Sequence, residues 1–322
     1  MSGVISNLQV TPVWAAMMRG ARRFVEDNGF MAVHGLPAVA GASGSCENFS
    51  AVFEVKGSED FFGKKAFLVQ SGQLYLEGFT PEYRKVYTEI QSFRKEPDVD
   101  DRHLAQFTLF EIEHIGGLDE LMDNIEGVVK SAVSEAIPAV ERLSPGRVEV
   151  LQNFVDTPMP RITYREALEM LEPHFPDLMF GDDLKANHEA KIVELAGGAV
   201  LNTHHPAGIK FFSMAEQSDD RTVVKSCDLL LPFAGESAGA AERVVDYDDL
   251  VRKLHTSDMY HLMRAEGVKD EEFDWYLDQH KSGDIEVHSG AGIGMARVAQ
   301  FILGVEDIRD AVPFVINRDT LL

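Results

Sequence analysis

Cysteine is nearly absent: Cys46 and Cys227 are far apart and fit neither a CxxC motif nor metal-ligand spacing. That excludes a thiolate metal centre, makes a disulfide improbable, and points to a reducing compartment, so a cytoplasmic protein is expected. No apolar run approaches the roughly 20 residues of a membrane span. The start, "MSGVISNLQVTPVW", lacks the basic residues and apolar core of a secretion signal. Repeats, low-complexity tracts and long linkers are also missing. Basic residues are scarce, 30 against 53 acidic, for a formal net charge of −23. Such a field repels phosphate backbones, and no run of lysine and arginine exceeds a pair. Composition therefore favours a small-molecule partner over nucleic acid or membrane.

What is present is a globular chain, 45% hydrophobic, long enough for one large core. Thr11 and Pro12 suit a helix start, and Trp14, Met17, Met18, Ala21, Phe24 and Val25 follow at helical spacing up to Asn28-Gly29. Strands are expected in "AVFEV", "AFLVQSG", "KVYTEIQSF", "FTLFEIE" and "TVVKSCDLLLPF". Helices are expected near Leu118–Leu143, Thr163–Leu171, Asp182–Leu195, Tyr247–Leu254 and Glu271–His280. A glycine turn running into an apolar helix, "GAGIGMARVAQFILG", closes the chain. Strands and helices in separate blocks argue an α+β fold, one domain over residues 1–322.

Four constellations carry chemistry. In "SFRKEPDVDDRHLAQF", Arg94 and Arg102 flank an acidic loop between two strands and can converge on a phosphate through paired hydrogen bonds. Glu96 can accept from an amino group, and Phe107 can stack on a flat ring. The plain alternative is a hairpin with cross-strand ion pairs. In "GAGIGMAR", Gly290, Gly292 and Gly294 allow close backbone approach, and Arg297 sits at a helix start, where anions bind. Asp228 and Glu236 bracket "CDLLLPFAGE" at a spacing that can share magnesium. In "FLVQSGQLYLE", Gln73 and Glu77 are polar positions in an apolar strand and need partners, backbone or ligand. No HxH or HxxxH spacing supports a metal role for His204, His205 or His288.

Taken in order, these elements resemble the motifs of class II aminoacyl-tRNA synthetases, specifically the aspartyl/asparaginyl branch. "NGFMAVHGLP" is similar to the family's first motif, "SCENFSAVF" to its substrate-glutamate segment, and "FFGKKAFLVQSGQLYLE" to the asparaginyl pattern. The likeness extends through "PRITYREALEML" and "GVEDIRDAVPF". It implies an antiparallel β-sheet flanked by helices, a homodimer, and ATP- and Mg-dependent formation of an aminoacyl-adenylate. It also implies roles. Arg94 would hold the α-phosphate, Glu96 the adenine amino group, and Phe107 the adenine face. Arg102, His103 and Arg297 would meet the terminal phosphates beside Gly292 and Gly294, and Asp228 and Glu236 would ligate magnesium. Glu47 and Gln73 would contact the substrate's α-amino end, and Arg243 its side-chain oxygen. Glu77 would face an amide nitrogen, where the aspartyl enzymes carry a lysine one residue earlier.

Departures shape the functional expectation. Few residues precede the first helix, so the branch's anticodon-binding barrel is expected to be missing, and Ala296 replaces the usual acidic residue before Arg297. The expected function is an asparagine synthetase-like ligase that activates aspartate, asparagine or an analogue and passes it to ammonia. The alternatives are an amide-forming ligase using another amine, a tRNA ligase acting without its anticodon domain, and a non-catalytic pseudo-synthetase.

Overall fold

The computed structural model describes residues 7–44, 48–96 and 99–321. Glu47 and Cys46 therefore lie outside the described residues. Among those described, ten strands form: β1 (Met31–Ala32), β2 (Val39–Ala40), β3 (Phe67–Leu68), β4 (Lys85–Phe93) and β5 (Gln106–Ile115). The later five are β6 (Arg161–Thr163), β7 (Val200–Thr203), β8 (Ser226–Leu231), β9 (Gly235–Glu242) and β10 (His288–Gly294). The helices are α1 (Thr11–Asp27), α2 (Ser58–Phe62), α3 (Gln73–Glu77), α4 (Thr80–Tyr83), α5 (Leu118–Glu141) and α6 (Val148–Asp156). After them come α7 (Tyr164–Leu171), α8 (Ala186–Ala196), α9 (Tyr247–Thr256), α10 (Asp258–Ala265), α11 (Asp274–His280) and α12 (Met295–Leu303).

Eight strands make one sheet in the order β1-β4-β5-β10-β9-β8-β7-β6. The six central strands pair antiparallel, and only the outermost pairs, β1 with β4 and β6 with β7, run parallel. Strand periodicity divides the sheet into two faces. Phe110 and Ile112 of β5, Ala291 and Ile293 of β10, Ala238 and Ala240 of β9, and Cys227 and Leu229 of β8 all point into the main core. There they meet Met17 and Val25 of α1, Leu121, Ile125 and Val128 of α5, and Val298 and Ile302 of α12. The intervening residues face the other way and form the site.

Several sequence expectations need correction. "GQLYLE" is a helical turn rather than a strand: α3 starts after Gly72 and ends at Gly78, and its apolar Leu74 and Leu76 mimic strand alternation. "AVFEV" begins on the last residue of a 3-10 turn, Phe49–Ala51, and holds only an isolated bridge from Glu54 to Phe67, while "AFLVQSG" keeps only β3. The glycines of "GAGIG" are not a turn but β10 itself, paired on both sides. Thr11 is the first residue of α1 rather than its cap. The helices over 118–141, 163–171 and 247–256 stand, the second opened by a capping box from Thr163 to Glu166.

The tightest seam of the core is between α1 and α5. A Cβ on Gly20 would lie 2.3 Å from the Ser131 carbonyl oxygen, while the Ser131 hydroxyl donates to the Gly20 carbonyl at 2.7 Å. Backbone cannot yield as a side chain can. Gly20→Ala is therefore expected to destabilise the fold by about 1–3 kcal/mol in urea unfolding, despite alanine's better helix propensity.

Candidate active site

The non-core face carries one row of residues across four strands. Cross-strand register sets Glu111 of β5 beside Gly292 of β10, Gly292 beside Gly239 of β9, and Gly239 beside Asp228 of β8. Two carboxylates thus border a floor of bare backbone. Above it lies a cavity of about 320 Å³. Its walls bring together Gln73, Arg94, Glu96, Arg102, His103, Phe107, Asp228, Glu236, Arg243, Gly292, Gly294 and Arg297. Of the candidate residues, Glu77 stands apart from this lining, and Glu47 is outside the described residues.

One end of the cavity is cationic. β4 and β5 pair from Lys85–His114 to Phe93–Gln106, and the ladder runs one bond further, from the Arg94 amide to the Ala105 carbonyl. This rigid hairpin seats the Arg94 guanidinium 5.4 Å from the Phe107 ring centre. Arg102 pairs with Glu189 of α8 at 2.5 Å, and His103 with Asp100 at 2.7 Å. Arg297, one turn into α12, donates to the backbone carbonyls of Glu236 and Arg102 instead of to a carboxylate. Burial lowers its proton affinity, with Glu236 working the other way. Ala296 beside it packs with Leu104, Ile308 and Val312, an apolar setting that explains why no acid is needed there for packing.

The opposite wall is acidic. Asp228 accepts from Lys210 at 2.6 Å and lies 3.1 Å from His205 Nε2. Burial raises the Asp228 and Glu236 carboxyls, and the Asp228 charge raises Glu236 further. Burial works against the Lys210 ammonium, but Asp228 and Glu236 outweigh it and hold it charged. His205, buried beside Lys210, is held neutral, well below its ordinary range. Two desolvated carboxylates that repel each other form an oxygen donor set that fits a hard divalent cation such as magnesium.

The third wall is a polar knot. Arg243, just past β9, forks onto Glu113 with contacts of 3.1 and 3.0 Å and donates to Gln73 Oε1 at 2.5 Å. Gln73 in turn donates to the Ala291 carbonyl at 3.0 Å. Glu111 accepts from the Ser71 hydroxyl at 2.8 Å and from the Gly72 amide. Glu77 lies behind Arg243, 3.6 Å from its Nε, and takes a hydrogen bond from the Tyr276 hydroxyl. Burial acts to raise Glu77, but His288, Arg243 and Tyr276 outweigh it and hold it ionised. Sequence reasoning missed Glu111, Glu113, Glu189 and Lys210. The first two were signalled by "FTLFEIE", where carboxylates alternate within an apolar strand; the other two meet their partners only through long-range folding.

These features are those of a catalytic domain whose cavity, cationic at one end and acidic at the other, lies on an antiparallel sheet, and the comparisons with known proteins agree. Residues 8–318 match the family described as tRNA synthetases class II (D, K and N), and the chain belongs to it. It is an ATP-dependent, amino-acid-activating ligase of that family, one that forms an aminoacyl-adenylate. The asparagine–tRNA ligase of Lactococcus lactis subsp. cremoris is 32% identical over 318 residues, covering 94% of this chain and 67% of that protein. That of Treponema denticola is 34% identical over 276 residues, 81% of this chain and 56% of its own. The crystal structure of Pyrococcus horikoshii asparaginyl-tRNA synthetase complexed with asparaginyl-adenylate superposes with a TM-score of 0.85 at 29% identity. It covers 97% of this chain and 69% of that one. No described helix is long and apolar enough to cross a membrane.

The knot makes stability depend on pH. Burial pushes the Glu113 carboxyl up to about 7, with Arg243 opposing. Its folded value is thus above its unfolded one, so it contributes stability that is present at low pH and lost as pH rises through about 7. Glu113→Gln has no such proton. The melting temperature of the wild type minus that of the variant should fall between about pH 5 and 7 and then level off. A difference constant across that range would contradict the raised carboxyl.

Proposed function

We propose that the chain activates asparagine with ATP and that the acyl group then passes to the end of a tRNA. The observation that carries the amino-acid choice is the state of Arg243. It is already engaged by the forked contact to Glu113 and faced by the ionised Glu77, and the nearby lining adds Glu111. A second carboxylate, as in aspartate, would add another negative charge beside Glu77, Glu111 and Glu113. A neutral amide instead offers an oxygen to Arg243 and N–H groups to Gln73 Oε1 or Glu111.

The α-carboxylate would attack the α-phosphorus in line as pyrophosphate leaves. Arg94 would meet the α-phosphoryl oxygens, with Phe107 and Glu96 fixing the adenine, while Arg297, Arg102 and His103 take the departing phosphates. Asp228 and Glu236 would hold magnesium, which neutralises phosphate charge when bound. Lys210, on Asp228, is placed to keep that carboxylate ionised and oriented between turnovers. No residue acts as a nucleophile; placement of charge does the work.

The names of the relatives, asparagine–tRNA ligases, support tRNA as acceptor. The net charge of −23 supports the second reading, transfer to ammonia or another small amine.

ATP–pyrophosphate exchange tests the activation step. Asparagine should support it with a kcat/KM on the order of 100-fold or more above that of aspartate. Exchange with neither amino acid overturns the proposal. Arg94→Ala should lower exchange on the order of 100-fold or more with an unchanged melting temperature. Presenting the preformed adenylate to tRNA and, separately, to ammonia then divides the two acceptors.

A further inference from the structure

Behind Arg243, away from the cavity, three side chains bring metal-ligating atoms together. Glu77 ends α3, His280 ends α11, and His288 opens β10. All three are buried, and one ligand atom from each lies within 4.8 Å of the other two.

The histidine tautomers are set by their surroundings. His280 Nδ1 faces the Tyr276 carbonyl at 3.2 Å, and His288 Nδ1 faces the Glu286 carbonyl at 2.9 Å. A carbonyl only accepts, so each Nδ1 carries a proton and each Nε2 is left as the ligating nitrogen. Metal-bound histidines are oriented by this same bond on the far side of the ring.

A second observation is independent of the clustering. His280 Nε2, wholly buried, has no hydrogen-bond partner, and Glu77 Oε1 has only its 3.6 Å ion pair with Arg243. An orphaned buried polar atom is costly, and the His280 nitrogen beside an unbonded carboxylate oxygen calls for a shared partner. In its absence, a proton on His288 Nε2 supplies the link to Glu77 Oε2 at 3.4 Å.

We infer that Glu77, His280 and His288 form a buried site for a borderline divalent metal of the zinc type. Two imidazoles and one carboxylate are an established donor set for that ion, and too nitrogen-rich to suit magnesium. The Tyr276 hydroxyl, 2.7 Å from Glu77 Oε2, is the neighbouring group that can complete the shell. The other titratable groups facing the cluster are Arg243 and Glu113, which contact each other. The metal takes the place of the His288 proton and draws on Glu77, the carboxylate behind Arg243. Occupancy therefore tunes the guanidinium at the end of the cavity without entering the cavity.

The test reads metal, not activity. The protein is stripped with a chelator, dialysed against limiting zinc in excess magnesium, and analysed for zinc per chain; cobalt(II) substitution reports ligand geometry by visible absorption. The wild type should retain one zinc per chain, with a raised melting temperature and a tetrahedral cobalt spectrum. Asp228→Asn should keep all three properties. His280→Gln and His288→Gln should each weaken zinc binding at least tenfold, with the apo melting temperature showing that they still fold. No stoichiometric zinc in the wild type overturns the site. So does uptake unchanged in His280→Gln, or uptake lost in Asp228→Asn alone, which would place the ion at the Asp228–Glu236 pair.

Discussion

The ion pair between Arg243 and Glu113 spans a strand, and the rest of the site depends on how that span is made possible. Glu113 lies on β5 and Arg243 just beyond β9, with β10 running between them. Register puts Gly290 of β10 directly opposite Glu113. A Cβ at that position would lie 1.7 Å from the Glu113 carboxylate and 2.5 Å from Gln73 Oε1. Only a missing side chain lets the carboxylate cross and meet the guanidinium. Such a buried pair is weak evidence for net stability, since desolvation offsets the attraction, but removing one partner strands the other at a cost of about 3–5 kcal/mol. What the pair provides is position: it fixes Arg243, and through Arg243 it fixes Gln73.

The same absence, repeated, makes the floor of the cavity. Gly292 and Gly239 sit between Glu111 and Asp228, so a ligand can lie against backbone with acids at either border. On the reverse face the same strands present Ala238, Ala240, Ala291 and Ile293 to the helices. Small residues on both faces of β9 and β10 let α5 and α12 pack close to the sheet. The central strands are thus held stiffly from behind while staying bare in front. A site whose chemistry rests on placing charges needs that stiffness more than it needs any one reactive group.

How much of this was legible follows from the range of each interaction. The β4–β5 hairpin could be read because its evidence is local: alternation in "KVYTEIQSF" and "FTLFEIE", with a polar loop between. The same alternation misled at "GQLYLE", where Leu74 and Leu76 look like a strand but flank a short helix set by Gly72 and Gly78. The glycines of β10 were visible as glycines, yet their strand pairing was not, because glycine carries little strand propensity and the ladder on both sides supplies what the residues do not. Partners distant in sequence, Glu189 for Arg102 and Lys210 for Asp228, left no spacing to read.

Net charge is the property most easily misjudged from sequence. A total of −23 argues against polyanions, but the charges that make it up are spread over a surface where each is screened within about 8 Å at physiological salt. Inside the cavity the distances are short and water is scarce, so individual groups dominate. Arg297 illustrates this: it is half-buried, its partners are backbone carbonyls, and its positive charge is not cancelled by a carboxylate in contact. Arg102 is matched by Glu189 and Lys210 by Asp228, so those two cations hold acids in place while Arg297 keeps its field for an incoming anion. The arginines of "SFRKEPDVDDRHLAQF" and the one arginine of "GAGIGMAR" line one cavity with its glycine floor. On the proposed reading an acidic protein takes a triphosphate there because the local field, not the sum, is what the phosphate encounters.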